Sequence, residues 1–171
     1  MQVRPATPDD REAVATILAA SYPLLMRAAY RDELLARTLP GMTRPNPALL
    51  ASGNYYLAEP EPGLFAGCGG WSDVAPGSDR REPGIAHIRH FATHPDWTGR
   101  GVGRALYERC EADARAAGFT SFTCFASLNG EPFYRAVGFK TLRLIEVPMA
   151  PGVFFPSILM TREIGAGPTD R

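Results

Sequence analysis

Apolar positions along this chain follow two different periods, and each change of period marks the edge of an element. Val14, Ile17 and Leu18, and then Leu24, Leu25, Ala28, Leu34, Leu35 and Leu39, recur at helical spacing. The first helix is predicted to start at Thr7-Pro8-Asp9-Asp10, which offers a capping hydroxyl, a first-turn proline and two acids at the positive end of the helix dipole. It is expected to end near Ala20, with Pro23 restarting a second helix that runs to Pro40-Gly41 and a short third helix over residues 47–51. Strand signals follow at 55–59, 63–72 and 85–93, separated by a tight turn at 60–63 and a polar loop at 75–84, which is the pattern of an antiparallel meander. Val102, Leu106, Cys110 and Ala114 then form one stripe, with Arg104, Glu108, Glu111 and Arg115 outside it, so a helix is predicted over 101–117, stopped by Gly118.

Residues 121–126 read as a strand, 131–137 as a short helix, and 139–147 and 153–163 as two last strands; residues 2–4 supply a first one. This order predicts a mixed α/β (α+β) layer fold around one central sheet. With no repeat and no linker composition, a single domain over 1–164 and a flexible tail over 165–171 are expected.

Composition narrows the partners. At 171 residues, 45% hydrophobic and 21% charged, the chain has the makeup of an ordinary globular protein. Its formal net charge is zero, so electrostatics gives no case for nucleic acid or an anionic membrane surface. Cys68, Cys110 and Cys124 are odd in number and lack metal-site spacing, which argues against a disulfide framework and against a metal. Reduced thiols in a cytoplasmic protein are expected. The segment MQVRPATPDDREAV carries charge where a signal peptide needs apolar residues, and no apolar run reaches transmembrane length.

The candidate chemistry lies between His87 and Gly118. A strand meets a turn at His94-Pro95-Asp96, and Gly99-Arg100-Gly101-Val102-Gly103 opens the long helix. The first turn of a helix has N–H groups without intrahelical partners, and its dipole favours an anion there. Alternate glycines let backbone approach a ligand closely, and Arg100 and Arg104 add positive charge. A P-loop is excluded, because Gly103 is followed by Arg104-Ala105 rather than Lys-Ser or Lys-Thr. A dinucleotide fingerprint fails at its third glycine, where Leu106 or Arg104 stands, and lacks the acid that should end the next strand. A nucleoside-methyltransferase loop would need an acid where Trp97 stands, so that class is a distant alternative.

The segment Thr98-Gly99-Arg100-Gly101-Val102-Gly103 resembles motif A of the GCN5-related N-acetyltransferases, the GNAT superfamily, with Thr98 in place of the usual Gln or Arg. The run Asn129-Gly130-Glu131-Pro132-Phe133-Tyr134-Arg135-Ala136-Val137-Gly138-Phe139 is similar to that family's motif B. The resemblance spans nearly the whole chain. It implies a central, mostly antiparallel, twisted sheet of about six to seven strands flanked by helices, with a splayed central strand pair. It also implies acetyl-CoA as cosubstrate, held by Phe91, Ala92 and Thr93 along the strand edge, by Thr98, Gly99, Arg100, Gly101, Val102, Gly103 and Arg104 at the pyrophosphate, and by Asn129, Phe133 and Tyr134 opposite. The implied reaction is N-acetylation of a primary amine on a small molecule or peptide, by direct attack through a tetrahedral intermediate.

Such a reaction needs a neutral amine, a stabilised oxyanion and a proton for the leaving thiolate. His87 stands fourteen residues before Gly101, where histone-modifying members of the family carry a glutamate base, so it is the candidate base, and packing in the sheet is its plain alternative. By strand alternation His90 should point to the other face and serve structure. Tyr134 is the candidate acid for the CoA sulfur. Cys124 shows no paired base and reads as packing. For the acceptor, Tyr22, Met26, Tyr30, Trp71 and Phe155 are candidates, with Tyr55, Tyr56 and Phe154 as further aromatics and Arg27 and Arg31 as carboxylate partners. A non-catalytic acyl-CoA sensor is the competing class, and a homodimer is compatible with everything in the sequence.

Overall fold

A computed structural model describes residues 1–165 of the chain. The expected tail therefore lies, from residue 166 onward, outside the described residues. Seven strands form one sheet: β1 (Gln2–Pro5), β2 (Tyr55–Glu59), β3 (Gly67–Ser72), β4 (Ile85–Thr93), β5 (Ser121–Ser127), β6 (Lys140–Ala150) and β7 (Val153–Glu163). Their spatial order is β1-β2-β3-β4-β5-β7-β6, and every neighbouring pair is antiparallel except β4 with β5. The helices are α1 (Arg11–Met26), α2 (Asp32–Met42), α3 (Pro47–Ala51), α4 (Val102–Ala116) and α5 (Glu131–Ala136). The mixed architecture and the mostly antiparallel sheet are as the sequence predicts. Among the described residues no helix is long and apolar enough to cross a membrane.

Each face of the sheet is covered by the stripe that faces it. Val102, Leu106, Tyr107, Cys110 and Ala114 of α4 pack on Tyr56, Ala58, Ala86, Ile88 and Phe122. On the other face, Val14, Ile17 and Leu18 of α1 and Leu49 and Leu50 of α3 pack on Tyr55, Leu57, Cys68 and Ala92. Helix α4 comes close to β3 because Gly67 has no side chain; a Cβ there would lie 2.6 Å from Val102 Cγ1.

Several element boundaries differ from expectation; β6 runs on to Ala150 where 147 was expected, and the larger differences fall in α1, α2 and β3. Helix α1 runs unbroken through Pro23 to Met26, because its buried face continues through Ser21 and Met26 and a proline removes only one helical donor. The break falls instead at residues 27–31. Strand β3 begins at Gly67 rather than at 63, since Glu61 and Leu64 close the tight turn on themselves.

Two irregularities in β4 create the working part of the sheet. First, β4 pairs with β5 only through Ile85↔Ser121, Ala86↔Phe122 and His87↔Thr123, after which the two strands part. Second, its pairing with β3 slips between Cys68↔Ala92 and Gly70↔Arg89, so Gly69 alone faces His90 and Phe91. This is a β-bulge, and His90 within it has φ +55°, in the left-handed region that non-glycine residues seldom enter. Gly69 accommodates it: a Cβ there would lie 2.5 Å from the Phe91 ring. Gly69→Ala is therefore expected to displace that ring and cost about 1–3 kcal/mol of stability. A urea midpoint unchanged from the wild type would show that the bulge does not depend on this contact.

Candidate active site

The glycine loop adopts the geometry an anion requires. Gly99 and Gly101 have φ of +74° and +82°. Gly101 caps α4, and the helix's first backbone bond runs from Ala105 N–H to Gly101 C=O, leaving the N–H groups of Val102, Gly103 and Arg104 without intrahelical acceptors. Gly103 is needed for packing, since a Cβ would lie 2.9 Å from the Phe133 ring. The Thr98 hydroxyl donates to the Pro95 carbonyl at 3.1 Å, so this residue closes the preceding turn where a longer side chain would reach outward. Arg104 donates to the Ala136 carbonyl at 3.3 Å.

Where β4 and β5 separate, a cavity of about 790 Å³ opens and extends from the glycine loop to α1 and the segment after α2. Its volume suits a drug-sized or cofactor-sized ligand. Of the residues assigned to acetyl-CoA, Phe91, Ala92, Thr93, Thr98, Gly99, Gly101, Val102, Gly103, Arg104, Asn129, Phe133 and Tyr134 all line it. Arg100 does not; its guanidinium stacks over the Trp97 ring at 4.8 Å. The Phe91 and His90 carbonyls accept hydrogen bonds from the Tyr22 and Tyr55 hydroxyls, each at 2.8 Å, which tie the bulged segment to the layer beneath it.

Tyr134 faces the cavity among Phe91, Phe133 and Phe139, and burial raises its phenol well above the usual pKa of 10, so it stays protonated. Cys124 lies beside it, and burial pushes that thiol up to about 12, which keeps it from acting as a nucleophile near neutral pH.

At the other end, the expected acceptor residues divide. Tyr22, Met26 and Phe155 line the cavity. Tyr30 does not: its hydroxyl donates to the Pro156 carbonyl at 2.6 Å and accepts from Leu128 N–H at 2.8 Å, and its ring stacks on Phe155, so it is a brace between the α1–α2 connection and β7. Trp71 is also absent from the lining; it packs against Phe119 and donates to the Tyr56 hydroxyl at 3.1 Å. Tyr55 and Tyr56 are core residues, Phe154 is exposed, and Arg27 and Arg31 lie off the cavity.

The two histidines of β4 exchange the positions expected of them. His87 is buried away from the cavity lining, paired across the sheet with Ser72 and Thr123, and both its ring nitrogens lack a protein partner. The carboxylates nearest in effect, Glu82 and Asp73, belong to the loop over β3 and β4. His90 lines the cavity instead. Its Nε2 donates to the Met42 carbonyl at 2.7 Å, so a neutral ring carries its lone pair on Nδ1, which has no protein partner and is not sealed from solvent. Burial lowers its pKa below 6.5. Strict alternation misassigned it because the bulge resets the pleat, and the signal that could have given warning is the Gly69-Gly70 pair on the neighbouring strand. Arg89, Arg44 and Asn46 also line the cavity and were not anticipated.

A family model described as an acetyltransferase (GNAT) domain matches residues 51–141, which carry β2 to β5, the glycine loop and α5. The chain belongs to the GNAT acetyltransferase family. Membership makes this GNAT protein an acyltransferase. It superposes with a TM-score of 0.72 on a GCN5-related N-acetyltransferase from Rhodopseudomonas palustris, 25% identical, covering 95% of this chain and 94% of that one. The PaiA N-acetyltransferase of Thermoplasma acidophilum, crystallised with coenzyme A, gives a TM-score of 0.72 at 15% identity, with 95% and 98% covered. A phosphinothricin acetyltransferase of Sinorhizobium meliloti, crystallised with acetyl-CoA, gives 0.66 at 21% identity, with 99% and 91% covered. No curated protein matches the GNAT chain in sequence.

The surroundings of His87 predict a pH effect that involves no catalysis. Burial holds its folded pKa below 6.5, so the unfolded chain binds more protons, and stability is full above about pH 6.5 and declines as the pH falls toward the folded value. Replacing His87 with Leu should flatten that decline, by at most about 1.4 kcal/mol per pH unit. Urea unfolding near neutral and mildly acid pH measures it, and equal slopes in the two proteins would mean that the imidazole is not held neutral.

Proposed function

We propose that this protein transfers the acetyl group of acetyl-CoA to a primary amine of a small molecule or peptide. The observation that carries this reading is that one cavity gathers the free amides of the α4 N-terminus, the β4 edge released by β5, an accessible imidazole nitrogen and a protonated phenol. The pyrophosphate would sit on the amides of Val102, Gly103 and Arg104, and the pantetheine amides would pair with the Phe91–Thr93 edge that β5 leaves free. Asn129 and Phe133 would close over it. Residues 1–164 act as one domain in this reading, and three buried free cysteines fit a reducing, cytoplasmic setting.

An alkylamine with a pKa of about 10.4 arrives protonated. His90 Nδ1 takes that proton; His87, which the motif spacing favoured, does not line the cavity. The amine nitrogen then attacks the thioester carbonyl, and a backbone N–H of the 91–93 segment stabilises the oxyanion. As the C–S bond breaks, Tyr134 gives its proton to the thiolate and is reprotonated by the second proton that the former amine nitrogen sheds, so the products are the acetamide and free CoA, with the first proton left on His90 to return to solvent. Because Tyr134 titrates well above 10, it remains an acid throughout the working range.

Acceptor-dependent release of free thiol from acetyl-CoA, across a panel of amines, is the deciding measurement. Tight CoA binding without turnover would favour a non-catalytic sensor, and S-adenosylmethionine binding without CoA binding would favour a methyltransferase. His90→Ala should lower kcat/KM by about 10²–10⁴ and remove the acidic limb of the pH profile, which lies below 6.5 in the wild type. An unchanged limb would return the base role to His87 or to water. Tyr134→Phe should reduce turnover more than CoA affinity.

A further inference from the structure

The acceptor end of the cavity carries positive charge and hydrogen-bond donors with nothing to balance them. Among the described residues, the cavity lining contains no aspartate or glutamate but contains Arg44, Arg89 and Arg104. Arg104 stands beside the glycine loop. Arg89 lies next to the bulge at His90, opposite Gly70, three steps along the sheet from Thr93 opposite Gly67 and so roughly 10 Å from Thr93.

Arg89 is half-buried, and no carboxylate among the described residues comes within 4.0 Å of it. A guanidinium has five N–H donors. Here one is used, from Nη1 to the Ser72 hydroxyl at 2.9 Å, and that hydroxyl is itself anchored on the Val74 carbonyl at 2.8 Å. The remaining nitrogens are not sealed in the protein, since the only buried unpartnered side-chain nitrogens among the described residues are those of His87. The guanidinium is therefore positioned, partly desolvated and open on one side. Burial without a countercharge lowers its pKa, the reverse of what a paired arginine shows.

Asn46 stands at the same place. Its side-chain oxygen accepts from the Ala48 and Leu49 N–H groups, which orients its amide NH₂ outward as a donor. Asn46 and Arg89 line both the main cavity and the adjoining hollow beneath residues 74–79, and Arg44 borders the main cavity two residues earlier. Asp79 lines that hollow too, without reaching Arg89.

Resting on the acetyltransferase reading, we infer that Arg89, with Asn46 and Arg44, forms a carboxylate-binding subsite, so that the acceptor is an amine that also carries a carboxylate, of amino-acid type. The carboxylate takes two parallel N–H donors of Arg89. Its amine is thereby directed to the neighbouring His90. A polyamine or a basic peptide segment would meet uncompensated positive charge at this end of the cavity.

The test uses matched acceptors, each amino acid beside its carboxamide. Acetylation in the wild type should favour the acid by at least about tenfold in kcat/KM, the low end of what a charge-assisted contact supports. In Arg89→Gln the ratio should collapse toward one, and Arg89→Lys, which keeps the charge but loses the fork, should fall between. A ratio near one in the wild type, or one that persists in Arg89→Gln, overturns the inference while leaving the acetyltransferase reading intact. Should no amine be acetylated, that reading fails, and the subsite is still decided by calorimetric binding of the same pairs to the CoA-loaded protein. Binding of the acid alone, lost in Arg89→Gln, supports it, and equal or absent binding overturns it.

Discussion

The structure depends on how β4 handles its backbone. Every buried N–H and C=O must find a partner, and a central strand ordinarily finds them on both sides. β4 does so for three residues and then loses β5, leaving the six residues from Ile88 to Thr93 with no strand on that side, four of them paired to β3 and two in the bulge. That edge is tolerable because it borders a cavity, where water or an extended amide-bearing ligand can pair with it. The requirement that makes the opening costly in an empty core is the same one that would suit it, in the proposed function, to a chain of amides.

The bulge places chemistry at the mouth of that opening. By setting Gly69 against both His90 and Phe91, it turns the adjacent Arg89 and His90 to the cavity on one face of the sheet, which regular alternation forbids. The left-handed backbone at His90 is strained, and residues hold such geometry only when their surroundings over-determine it. Here the surroundings are specific: the Tyr55 hydroxyl on the His90 carbonyl, the Tyr22 hydroxyl on the Phe91 carbonyl, the Met42 carbonyl on the His90 ring, and the absence of a side chain at Gly69.

Buried phenols recur as the braces of irregular backbone. Tyr22, Tyr55 and Tyr30 each donate to a carbonyl outside their own element, and burial raises all three phenols above their usual pKa, Tyr30 to about 12. A phenol that cannot ionise is a permanent donor, so the framework around the site keeps one hydrogen-bonding pattern through the pH range in which an imidazole titrates.

Most of the fold was legible in the order of the amino acids, because hydrophobic period, caps and turn residues are local properties. The stripe Val102, Leu106, Cys110, Ala114 specified α4 and its buried face, the glycines at 99 and 101 allowed positive φ at the loop, and the resemblance of Asn129 to Phe139 to motif B implied the other wall of the cavity. What only the tertiary structure decided were the features that arise between elements. Pro23 stayed inside α1 because a buried face outweighed one lost hydrogen bond. Trp71 and Tyr30 became core and brace because their polar atoms found partners far away in sequence, Tyr56 for one and Pro156 for the other. His90 came to the cavity because a one-residue slip against β3 reverses which face a side chain meets, while His87 stayed off the lining in the regularly paired stretch before it; a slip is a relation between two strands that neither strand's own sequence contains.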